Sequence, residues 1–171
     1  EVHFDQVEDA ADMSADDGTE IFVSTMNPDT EALSSVPVLS VLNIETLNLI
    51  AFTIEALTFS DGEDLTKKGD IGEHVFIIIN GHASFIVGNN GDERIIQTDG
   101  PGTLFGEVAL LSKKPRAVTV RAKGNLSFLR LSRELFFDLI KQDAELGLAV
   151  MESLSNRLLH SAELLNANQQ S

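Results

Sequence analysis

Cysteine is absent from the 171 residues. Disulfides, a thiol nucleophile and any zinc–thiolate site are thereby excluded. No apolar run is long enough for a membrane-spanning helix, so no membrane partner is expected. Basic residues are missing from the N-terminal part. No Lys or Arg precedes Lys67, yet 15 of the 27 Asp and Glu residues lie there. The other 12 acids balance all 12 bases, so the net charge of −15 belongs to that N-terminal part. An acidic chain of this kind repels nucleic acid, and no nucleic-acid partner is expected. The first residues are acidic, unlike the basic start of a secretory signal, and a cytoplasmic protein is expected. The chain begins at Glu1 rather than Met, as expected of a piece trimmed from something longer.

Signs of catalysis are lacking as well. There is no Walker loop and no nucleophile elbow, and no carboxylate pair stands beside a His. Gly100-Pro101-Gly102-Thr103-Leu104-Phe105-Gly106 approaches a dinucleotide fingerprint. It has one residue too many before its last Gly and no strand–helix–strand unit around it. Of the His residues, His3, His74, His82 and His160, none pairs as metal ligands. His74 and His82 would stand about 26 Å apart on one extended strand at about 3.3 Å per residue. No metal and no enzymatic turnover are expected; binding is the better class.

What is present is a series of short strands. Glu55–Phe59, Asp64–Lys68, His74–Ile79, Ala83–Val87, Arg94–Thr98, Val118–Ala122 and Leu126–Leu131 read as strands, and all but the last stop at a Gly, Asp or Asn turn. Asn80-Gly81 reads as a hairpin turn. Such spacing argues a sandwich or jelly roll. Three segments are expected. Residues 1–35 are an acidic segment, mobile or docked through the apolar island Ile21-Phe22-Val23. Residues 36–142 hold a helix around Ile44–Ile54 and the barrel. Residues 143–171 hold a long helix and a polar tail. Ser132 reads as the cap of a helix running to Ile140.

The chemistry concentrates in Phe105–Val120. Gly102 and Gly106 let the backbone turn tightly and approach a ligand. Glu-Val-Ala-Leu-Leu after Gly106 reads as a short helix whose first N–H groups are free for an anion. Pro115 ends that run, and Arg116 offers a planar fork matching two phosphate oxygens, in a run with Lys113 and Lys114 that reverses the chain's sign locally. Backbone donors, one carboxylate and one guanidinium suit a ligand with an anionic phosphate and a sugar hydroxyl. Taken singly, Glu107 and Arg116 also fit a plain surface ion pair.

Phe105-Gly106-Glu107, Ala109-Leu110-Leu111 and Pro115-Arg116-Ala117 together resemble, without a gap, the phosphate-binding cassette of cyclic-nucleotide-binding domains. Gly69, Gly72 and Gly81 resemble that family's barrel glycines, so the likeness spans about residues 36 to 140. The resemblance implies a mainly β fold with flanking helices: a double-stranded β-helix, or jelly roll, barrel between an N-terminal helix and a long C-terminal helix. It implies that Glu107 accepts from a ribose 2′-hydroxyl and that Arg116 holds the phosphate. Backbone N–H groups of Gly106, Ala109 and Ala117 would help, with Val108 and Val118 in the same ligand-contacting set. Phe85 and Ile96 would wall the base.

Cyclic-GMP-preferring members tend to carry a hydroxyl residue just after the cassette Arg. Ala117 stands there, which tilts the reading towards cAMP; a cGMP-selective sensor remains an alternative. In the long helix, Arg157 is expected to pair with Glu107, and Ser161 to meet the base. Met151, Leu154, Leu158 and Leu165 keep a heptad-like rhythm, and a homodimer through this helix is expected. The expected output is a shift of the helices on binding, either in a stand-alone sensor or acting on an effector domain or partner protein. The competing readings are a jelly-roll interaction module with a silent pocket, and a cupin-like enzyme, against which the lack of clustered His argues.

Overall fold

The computed structural model describes residue 28, residues 30–89 and residues 91–169. Two long antiparallel strands form its spine, β3 (His74–Val87) and β6 (Thr119–Ser132). Their apolar side chains alternate between two cores. Val75 and Ile77, with Leu129 and Leu131, face a core shared with the helices. Phe76 and Ile78, with Leu126 and Phe128, face the inside of the barrel. The register sets Ile77 opposite Leu129 and Ile78 opposite Phe128. A strand covered on both faces reads as a continuous apolar run, and Val75-Phe76-Ile77-Ile78 is that run.

Short strands complete two layers. In one, β1 (Glu55–Phe59) pairs with the second half of β6, and β5 (Leu104–Phe105) with the first half of β3. In the other, β2 (Asp64–Thr66) pairs with the first half of β6, and β4 (Arg94–Asp99) with the second half of β3. The fold class is the expected one, an antiparallel, mainly β jelly roll with flanking helices.

Two of the expected strand breaks are corrected. Asn80-Gly81 does not reverse the chain. It lies within β3, where the register to β6 shifts between Ile78, Asn80 and His82. The gap expected between Ala122 and Leu126 likewise lies within the single strand β6. Gly81 (φ 85°) and Gly124 (φ 71°) supply the left-handed backbone that a bulge and a hairpin share. With β6 alongside through the bend, that backbone turns the corner from one layer to the other.

Helices close the barrel. Asn43 caps α2 (Ile44–Ala51), its side chain accepting from the Thr46 N–H at 2.8 Å. Ser132 caps α4 (Arg133–Gln142), accepting from the Leu135 N–H at 3.2 Å. Asp143 accepts from the N–H groups of Glu145 and Leu146 at the start of α5 (Ala144–Gln169). Leu146 and Val150 anchor α5 in the helical core, and beyond Leu154 its apolar residues are largely exposed. Within the stretch expected to be an acidic segment, Thr30–Ser34 form α1, and Leu33 is fully buried in the same core. The Ile21-Phe22-Val23 island and His3 lie outside the described residues. No described helix is long and apolar enough to cross a membrane.

The bend at Gly81 admits no side chain, because a Cβ would run into the Asn125 carbonyl. Gly81→Ala is expected to destabilise the chain by about 1–3 kcal/mol, read as a lower urea midpoint at unchanged slope.

Candidate functional site

The segment after β5 folds as a turn, a short helix and the entry to β6. Gly106 (φ 94°) caps α3 (Glu107–Ser112). A Cβ at Gly106 would stand 2.8 Å from Arg116 Nη1 and 3.0 Å from the His74 carbonyl oxygen. Conformation and space both require glycine there. The helix ends at Lys113, whose left-handed backbone (φ 56°) is unique among the described non-glycine residues. Pro115 then leads the chain into Arg116.

Arg116 is buried, 8% exposed. Its Nη1 donates to the Gly106 carbonyl and its Nη2 to the His74 carbonyl, each at 2.6 Å. The guanidinium also lies over the Phe76 ring, 5.5 Å from its centroid. Backbone bonds hold the residue from behind, Arg116 N–H to the Asp70 carbonyl and Gly69 N–H to the Arg116 carbonyl, both 2.8 Å. Burial pushes the guanidinium pKa down, and the Asp70 charge opposes that. No carboxylate forms an ion pair with it among the described residues. A guanidinium has five N–H donors, so the two carbonyls leave donors unused. A desolvated cation with spare donors is what an anion would complete.

Glu107 is fully buried. Its carboxylate pairs with Arg157 of α5, as expected from the resemblance. No other described group donates to either oxygen. Burial pushes the Arg157 pKa down, with the Asp99 charge opposing.

Beside these groups opens a cavity of about 480 Å³, within the usual range for a small ligand. Phe85, Phe105, Val118 and Val120 give it apolar walls, and Ala109, Ala117, Val108, Gly106, Arg116 and Arg157 also line it. Phe105 stands edge-on to Phe85 at 5.5 Å and is stacked on Phe76 at 5.0 Å. Glu107 lies behind the wall, under Arg157.

Two expected residues are not brought to this cavity. Ile96 sits on β4 and is 52% exposed. The register sets Phe85 opposite Gln97 and Ile86 opposite Ile95, so Ile96 falls at the irregularity without a partner and turns outward. Ser161 lies on the exposed half of α5, one turn past Arg157, away from the cavity lining.

Other residues take places in the site that their sequence context does not specify. Gly72 is one: a Cβ there would stand 2.7 Å from the Ala109 Cβ and 3.3 Å from Arg116 Cζ. Its place in the glycine pattern was visible, but its role against the cassette was not. Phe105 and Lys114 also line the cavity, and both lie inside the motif.

His74, whose carbonyl holds Arg116, carries a half-buried imidazole. Burial first, then the Arg130 charge, push its pKa down, while Glu55 and Glu73 oppose. The unfolded chain therefore takes up this proton first. The contribution to stability is complete above about pH 6.5, the free-imidazole value, and is lost as pH falls below it. Urea midpoints at about pH 8 and pH 5.5 should fall further for the unsubstituted chain than for His74→Gln.

Known proteins share this architecture. The family model for the cyclic nucleotide-binding domain matches residues 56–143. A cAMP-dependent protein kinase regulatory subunit of Blastocladiella emersonii is 39% identical over 109 residues, 63% of this chain and 27% of the relative. A cAMP-dependent protein kinase regulatory subunit of Mucor circinelloides f. lusitanicus is 34% identical over 130 residues, 72% of this chain and 30% of the relative. The chain thus spans less than a third of the length of either relative. The crystal structure of the catabolite activator protein of Thermus thermophilus has a TM-score of 0.67 at 25% identity, covering 78% of this chain and 63% of that one. With the family model matching over half of its length, this chain belongs to the cyclic nucleotide-binding domain family.

Proposed function

We propose that this chain is a regulatory sensor module that binds a cyclic nucleotide, cAMP by preference. One observation carries the reading. A desolvated guanidinium with spare donors, Arg116, lines one apolar cavity of ligand size, and a buried carboxylate with unused acceptor capacity, Glu107, lies just behind its wall. A cyclic phosphate with a free ribose hydroxyl supplies an anion for the first and a donor for the second. The phosphate meets Arg116 and the first turn of α3, and the base rests on Phe85 and Val118. Ala117 offers a guanine no hydroxyl, which favours adenine. The names of the two relatives point to the same ligand. Turnover has no place in this reading; the module works in the cytoplasm, on an effector domain or partner such as a kinase subunit.

The output runs through α5. Arg157 ties that helix to Glu107, beside the ligand's hydroxyl, so occupancy favours one position of the helix over another. Met151, Leu158 and Leu165 of the heptad-like series are more than half exposed, a seam suited to the same helix of a second copy.

Isothermal titration with cAMP and, separately, cGMP tests the ligand. Arg116→Ala should weaken cAMP about a hundredfold, the equivalent of about 3 kcal/mol for charge-assisted hydrogen bonds. A preference for cGMP would keep the module and sink the argument from Ala117. Binding of neither would leave a jelly-roll interaction module with a silent pocket. Sedimentation tests the seam: a dimer is expected, and Leu158→Glu should yield monomer with the cavity's affinity measured alongside.

A further inference from the structure

Three cations line the cavity, and they stand in different states. Arg157 has its charge matched by Glu107. Arg116 is buried and bonded to two backbone carbonyls. Lys114 is exposed at the cavity and forms no ion pair among the described residues. Its position depends on the residue before it. Lys113 closes α3 in the left-handed conformation, which side chains with a Cβ rarely adopt. After that turn Lys114, and not Lys113, borders the cavity ahead of Pro115.

The surroundings give this charge a task. Asp and Glu outnumber Lys and Arg among the described residues as well, an excess of negative charge that opposes an approaching anion. Lys114 is solvent-exposed and lines the cavity, so its charge reverses that sign locally. We propose that Lys114 is a second phosphate-recognising residue, which meets the anion from the solvent side while Arg116 holds it from within, and which chiefly speeds capture. This rests on the reading of the cavity as a cyclic-nucleotide site. An exposed, flexible ammonium acts as a point charge, so its effect is small at equilibrium and depends on salt.

The test is titration and stopped-flow association of the full chain with cAMP and cGMP, at about 0.01 M and about 1 M ionic strength, where the screening length is about 30 Å and about 3 Å. At low salt, Lys114→Gln should weaken binding about two- to fivefold, mostly through slower association. At high salt the difference should vanish. Lys114→Arg should keep the affinity of the unsubstituted chain. Lys113→Gln removes the same charge one residue away, off the cavity lining, and should cost clearly less than Lys114→Gln. Equal loss in Lys113→Gln and Lys114→Gln would overturn the proposal, since net charge alone would then explain both. So would unchanged low-salt binding in Lys114→Gln. No binding of either nucleotide by the unsubstituted chain would instead overturn the nucleotide reading itself, and the role of Lys114 with it.

Discussion

The buried guanidinium of Arg116 holds the site together. Its donors reach the Gly106 carbonyl at the start of α3 and the His74 carbonyl at the start of β3. Two segments far apart in sequence are thus fixed to a third, the entry to β6. Taking a charge out of water is costly, and carbonyl dipoles repay only part of that cost. The guanidinium therefore keeps its place only if neighbouring groups leave it the right space. Gly72 and Gly106 do so by having no Cβ to put in its way. The same incomplete compensation gives an incoming anion something to gain.

That arrangement needs a rigid frame, which β3 and β6 provide. Each is buried on both faces along its first or second half, one side against the helices and the other inside the barrel. Both strands bend at glycine-bearing irregularities, and the bend lets one pair of strands serve two layers. Phe76 and Phe105 stack within the barrel, and Phe105 continues into the cavity wall. The helical side sets the remaining charge. Leu146 and Val150 fix the first half of α5, and the helix then carries Arg157 to Glu107. The charge at the cavity's rim and the packing of α5 are consequently linked.

Much of this was legible in one dimension because its parts are local. The turn, the short helix, the proline and the arginine of the cassette lie within a single run of residues. Side chains that must cooperate there are held at fixed spacing by the chain itself. Alternation and turn residues likewise exposed the short strands and the jelly-roll class. The readings that failed depended on partners. A glycine with positive φ serves a hairpin and a bulge equally well, and only the neighbouring strand decides between them. Ile96 has the composition of a wall residue, but a one-residue irregularity in the β3–β4 register turns it outward. Ser161 follows Arg157 by one turn, yet the helix has left the body of the barrel by then.

By itself, then, the sequence determined most of the elements, the class of fold and the order of groups in the cassette. These follow from backbone preference, periodicity and covalent spacing, which act over a few residues. Tertiary structure alone decided which charges are desolvated, and so which have chemistry to offer. It buried Glu107 beneath Arg157, drew Arg116 against two carbonyls and left Lys114 in water at the same cavity. Burial is a property of everything that packs around a residue, and β3, α3, α5 and Gly72 meet only in the folded chain.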